Sequence, residues 1–196
     1  TIMVTSIVNM VSTDFCRELV VASTRKAVML CLALVLLAFQ PLGAMAGNQT
    51  ARLTLPKADR VVILKGERKL VVMKGDKVLR VFSVALGRYP VGHKIRQGDA
   101  KTPEGEYTLD FKLKASAFYR AIHISYPNQQ DMSRAQSLGV DPGGKIMIHG
   151  LPNKMRASRV GHPSIDWTQG CIAITNREMD MLWKMVDAGT PIEIHP

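Results

Sequence analysis

The 196-residue chain is predicted to be a mainly β domain with two short helices, preceded by a leader. β-Branched runs bounded by glycine or proline recur from Asp59 to the C-terminus. Only two stretches, 128–140 and 176–188, read as helix. No internal repeat and no low-complexity tract breaks this pattern.

Each element has its own warrant. The runs "RVVILKG", "KLVVMKG" and "KVLRVFSVALG" are strands separated by glycine-containing turns, one of them at Gly75-Asp76. Thr102-Pro103-Glu104-Gly105 suits a type I turn, with proline presetting φ and glycine closing it. "EYTLDFKLK" alternates as a strand, and "AIHISYP" is another, stopped at Pro127. "NQQDMSRAQSLGV" reads as a short helix ending at Gly139. "GGKIMIHG" is expected as a strand, 151–165 as a polar loop and "CIAIT" as the next strand. Thr175 and Glu178 have capping-box spacing and start a second helix. Its Met179, Leu182, Trp183 and Val186 share one apolar face, and Gly189 is the expected C-terminal cap. "TPIEIHP" is a last strand.

The leader is read from charge and length. Arg25 and Lys26 precede an apolar run from Ala27 to Phe39, which breaks at Pro41 and Gly43 before Ala44-Met45-Ala46. That is the layout of a signal peptide, over about 25–46, with cleavage expected after Ala46. Residues 1–24 lie upstream of the basic stretch, and are expected either to be lost with the leader or to precede the true start. The apolar run is well short of the roughly 20 residues a spanning helix needs, so no stable membrane span is expected after cleavage. Residues 47–58 read as a linker and 59–196 as one catalytic-sized domain, exported to the periplasm or cell wall.

The full chain carries +10, and the leader accounts for only one unit of it. A basic exported surface favours anionic polymers such as cell wall. The cations are scattered with few aromatics between them, which argues against a nucleic-acid groove. Arg88, His93, Lys94 and Arg96 form a cationic loop that is either a wall-peptide contact or simply solvated.

Cys16 and Cys31 leave with the leader, so Cys171 stays alone in "DWTQGCIAIT". A lone thiol in an exported protein is a reactive group, an intermolecular bridge or a buried hydrophobe. A nucleophilic cysteine needs a neighbour that takes its proton, usually histidine. Of five histidines, His149 is the leading candidate, because it ends the apolar strand "KIMIH" and precedes Gly150. A core histidine bonded to a carbonyl is the other reading. Gly150 and Gly170 are expected to leave room for substrate backbone beside the pair. Trp167 is either a core or rim residue or a stacking platform. No CxxC or HExxH spacing supports a metal site.

"IMIHG" followed by "TQGCIAI" resembles the active-site pattern of the YkuD-type L,D-transpeptidase catalytic domain. The resemblance covers about 59–196, including "DRVVILKGERKLVV", "VALGRYPVGHKIRQGDAKTPEGEY" and the closing "DWTQGCIAITNREMDMLWKMVDAGTPIEI". It implies a β-sandwich or barrel-like fold, Cys171 as nucleophile and His149 as general base. Gly170, Thr168, Gln169 and Gly150 would be its oxyanion and substrate residues, with backbone N–H groups around Gly170 and Cys171 binding the oxyanion. The implied reaction is acyl transfer from a peptidoglycan stem peptide through a thioester to an amine, with no metal or cofactor. A wall-linked protein is a further candidate partner. Two positions differ from the family pattern: Gln169 replaces a common histidine, and Ala173 an arginine or asparagine. The "DWTxGCIA" form resembles a branch associated with amide hydrolysis at the wall, so a hydrolase outcome and a non-catalytic wall-binding domain stand as alternatives.

Overall fold

Eight strands pair into a single curled sheet in the computed structural model, which describes residues 55–196. The expected leader, its cut after Ala46 and most of the expected linker lie outside these residues. In chain order the elements are β1 (Arg60–Leu64), β2 (Lys69–Lys74), β3 (Lys77–Ser83), β4 (Gly105–Ser116), β5 (Tyr119–Ile124), α1 (Gln129–Ser137), β6 (Met147–His149), α2 (Ala157–Val160), β7 (Ile172–Ala173), α3 (Asn176–Met185) and β8 (Thr190–His195). The sheet order is β3-β2-β1-β8-β4-β5-β6-β7. Strands β1 and β8 run parallel, as do β6 and β7, and the other neighbours are antiparallel.

Beyond β3 the chain runs on through 84–88 and reaches the far edge of the sheet. There Ala85 donates to Ala173 at 3.0 Å and receives its N–H at 2.8 Å, while Thr168 and Leu86 pair at 3.1 Å. This seam closes the sheet on itself, as the barrel-like expectation required.

Alternation places the core. Val61 and Ile63 of β1, Leu70 and Val72 of β2 and Ile192 and Ile194 of β8 are buried, with partly exposed or exposed residues between them. Helix α3 adds Met179, Leu182 and Met185, all fully buried on one face. Each such side chain contributes roughly 1.5–3 kcal/mol of transfer free energy. Both predicted helices are present and both carry a capping box, Thr175 with Glu178 and, unforeseen in the sequence, Asn128 with Asp131.

Several boundaries differ from expectation. The four-residue α2 lies within 151–165, expected as a loop, and ends at Gly161 with φ +71. The strand expected over 143–150 shrinks to Met147–His149, because Gly143 (φ +74) and Lys145 (φ +57) adopt a left-handed conformation that a strand excludes. "CIAIT" shrinks to Ile172–Ala173, because Thr175 is spent as the α3 cap. Gly189 is not that helix's cap. The helix stops at Met185 with Val186 extended, and Gly189 (φ +90) turns the chain into β8. Residues 55–58 are not a free linker: Leu55 and Ala58 pack against the core, and Ala58 donates to the Met185 carbonyl at 2.8 Å.

Candidate active site

The parallel pair β6 and β7 decides what faces what. Ile148 sits opposite Ile172, and both are fully buried in the core. Side chains alternate along strands, so Met147, His149 and Cys171 share the opposite face. There Cys171 and His149 line one cleft of about 500 Å³ with Phe118, Trp167, Met147 and Lys145.

The imidazole is fixed from two sides. Nδ1 of His149 lies 2.7 Å from the Gly150 carbonyl oxygen, so Nδ1 carries the proton and donates it. The lone pair is thereby left on Nε2, where a base needs it. The rings of Phe118 and Trp167 lie 4.5 Å and 5.7 Å from the imidazole. Burial lowers the His149 pKa below its usual range, the neighbouring His162 pushes it the same way, and the Gly150 bond opposes both. Burial pushes the Cys171 thiol up, only partly offset by a hydrogen bond from the Met147 backbone and by the Lys94 charge. The resting pair is therefore neutral thiol and neutral imidazole. The sulfur, on a partly exposed residue, donates weakly to the Lys145 carbonyl at 3.6 Å.

Thr168 shapes the turn ahead of the thiol. Its hydroxyl donates to the Cys171 carbonyl at 2.7 Å and accepts the Gly170 N–H at 3.1 Å. The Gly170 N–H is thus already bonded, which leaves the Cys171 N–H as the nearby backbone donor for an oxyanion. Gln169 is exposed and lines both this cleft and an adjoining polar hollow.

The two glycines make room for the protein itself. A Cβ on Gly170 (φ +127) would lie 2.6 Å from the Lys101 carbonyl oxygen, and one on Gly150 would lie 2.6 Å from Asn176 Oδ1. Neither gap is substrate space, contrary to expectation. Asn176 uses that proximity to accept the Leu151 N–H at 2.9 Å, joining the start of α3 to the end of β6.

Asp166, missed in the sequence, anchors the segment that carries Cys171. Its carboxylate accepts two bonds from Arg68 at 2.9 and 2.8 Å and the Leu86 N–H at 2.8 Å. Lys145 was missed too, since a left-handed non-glycine residue has no sequence signature; that conformation costs about 1–2 kcal/mol. Phe118 gave no signal either. Trp167 is placed in the cleft wall, its ring 6.2 Å from that of Phe118.

The cationic loop is only half available. Lys94 is buried and paired with Asp99 at 2.9 Å, and His93 Nε2 lies 2.9 Å from Asp131, whereas Arg88 and Arg96 are exposed. His123 pairs with Asp110 at 2.8 Å and stacks on Phe111. His162 is buried with Nδ1 unpartnered among the described residues, and His195 is exposed near the C-terminus.

Comparison with known proteins converges on one family. The family model for the L,D-transpeptidase catalytic domain (YkuD) matches residues 58–194. The chain is 32% identical over 132 residues to YafK of Escherichia coli (strain K12), provisionally named an L,D-transpeptidase, covering 64% of this chain and 46% of YafK. It is 29% identical over 141 residues to the similarly named YqjB of Bacillus subtilis (strain 168), covering 71% and 73% of the two chains. Among solved structures, the helical cell shape determining protein Pgp2 from Campylobacter jejuni shares the fold, with a TM-score of 0.52 at 24% identity over 71% of this chain and 48% of Pgp2. The chain spans about half the length of YafK and of Pgp2. With the family model covering nearly all of the described residues, the chain belongs to the L,D-transpeptidase catalytic domain family.

Proposed function

We propose that this domain is a cysteine acyltransferase acting on peptidoglycan stem peptides. The observation that carries the reading is that Cys171, just ahead of β7, and a tautomer-fixed His149 at the end of the neighbouring β6 line one cleft. His149 Nε2 takes the thiol proton as sulfur attacks an amide carbonyl of the stem. The Cys171 N–H receives the developing oxyanion. The C–N bond then breaks, the proton passes from imidazolium to the leaving amine, and a thioester remains on Cys171. A second amine gives up a proton to His149 and takes the acyl group, forming a cross-link as the C–S bond breaks, and the imidazolium returns that proton to the departing Cys171 thiolate. Gln169, exposed at the cleft border, orients the peptide, while Thr168 holds the turn behind the thiol.

Water in place of that amine would give a hydrolase from the same site. The provisional naming of YafK and YqjB as L,D-transpeptidases favours transfer. A wall-linked protein remains a candidate substrate for either outcome. An exported domain, with a signal peptide over about 25–46 cut after Ala46, is part of the same proposal, since a wall enzyme has to reach the wall.

Incubating the protein with tetrapeptide muropeptides and weighing the products by mass spectrometry tests this. Cross-linked dimers and a trapped acyl adduct on Cys171 are expected. Cys171→Ala should abolish both while leaving the melting temperature nearly unchanged, and a Cys171→Ala protein that retains activity overturns the proposal.

A further inference from the structure

The cleft around Cys171 holds a single formally charged side chain outside the catalytic pair, Lys145, and no carboxylate. Among the described residues Lys145 has no ionic partner, in contrast to Lys94, which is spent on Asp99. Lys145 is exposed and lines both this cleft and the adjoining hollow of about 540 Å³, whose walls also include the charged Lys94 and Asp141 with Gly144 and Gln169. It therefore stands where the two spaces join.

Its backbone adds an independent observation. At φ +57, Lys145 occupies a conformation that glycine takes freely and other residues take under strain. The two residues before it are Gly143 and Gly144, yet the strained position is filled by a lysine. Strained non-glycine residues cluster where a side chain has work at a site. The same conformation aims the Lys145 carbonyl at the thiol, 3.6 Å from Sγ, so the residue is tethered beside the reacting atom.

We infer that Lys145 is a specificity residue, which selects acyl donors bearing a free carboxylate near the scissile amide over donors in which that carboxylate is amidated. This rests on the acyl-transfer reading above. No carboxylate lines the Cys171 cleft itself, Asp141 belonging to the adjoining hollow, so the ammonium attracts a carboxylate held beside the thiol and has no comparable attraction for a neutral amide. Lys145 is exposed, so solvent screens its ammonium and the expected discrimination is modest, about fivefold.

The test compares kcat/KM for one tetrapeptide muropeptide in two forms, with its carboxylates free or amidated. The expected result is a preference of about fivefold for the free form in the wild type. Lys145→Met should bring the ratio close to one by slowing the free form alone, and Lys145→Arg should restore it. Lys145→Gly, which relieves the strain, should also lose the preference while its melting temperature holds or rises, so misfolding cannot mimic the result. An unchanged ratio in Lys145→Met, or no preference in the wild type, overturns the inference while leaving acyl transfer intact. A wild-type protein that turns over neither form, although iodoacetamide still alkylates Cys171, refutes the acyl-transfer reading and this inference together.

Discussion

Two opposite pKa displacements at Cys171 and His149 set the working pH of the site. Burial holds the imidazole neutral and the thiol protonated, so protonation of the base and ionisation of the nucleophile lie far apart. The rate requires neutral imidazole and one transferable proton. The kcat/KM profile is therefore expected to stay flat below the ordinary histidine value of about 6.5 and to fall only at more acid pH, with its alkaline limb above the ordinary thiol range of about 8.5. An acid limb at or above pH 7 would contradict a neutral resting pair. Both members of the proposed pair could be named from the sequence, since "IMIHG" and "TQGC" carry them openly. The roles of the glycines were not: whether a missing Cβ is filled by substrate or by Lys101 and Asn176 depends on segments far apart in the chain.

At the scale of elements, the position of Cys171 depends on strands that are hardly strands. β7 has two residues and β6 three, too few to hold position by ladder bonds alone. Asp166 supplies the missing constraint by gripping Arg68 and the Leu86 N–H just ahead of the Thr168 turn. Asp166→Ala would orphan a partly buried guanidinium and a buried amide. A loss of about 1–3 kcal/mol is expected, seen as a lower denaturant midpoint with unchanged slope. A midpoint shift within error would show that the segment is held by other contacts. Patterning found all eight strands and both longer helices, because alternation and capping act locally. It overran the ends of β6 and β7, where a left-handed lysine and a cap in use stop pairing, and it passed over α2, whose four residues bury none of their own side chains.

For the molecule as a whole, two buried histidines tie stability to acidity. His149 and His162 both have folded-state pKa values lowered by burial. Once the pH drops below about 6.5, the unfolded chain binds protons that the folded one refuses, so stability falls with falling pH. The melting temperature should decline between pH 7 and pH 5, and less steeply in His162→Gln. A flat profile there would mean that these histidines titrate normally in the fold.

The seam between 84–88 and β7 also governs how a substrate arrives. Many enzymes that read peptides let the ligand zip onto an open strand border and borrow its amides. Here that border is occupied on both flanks, by β6 on one side and by Ala85 on the other. On the proposed function, a stem peptide would come down onto the thiol across the mouth of the closed sheet rather than pair along β7.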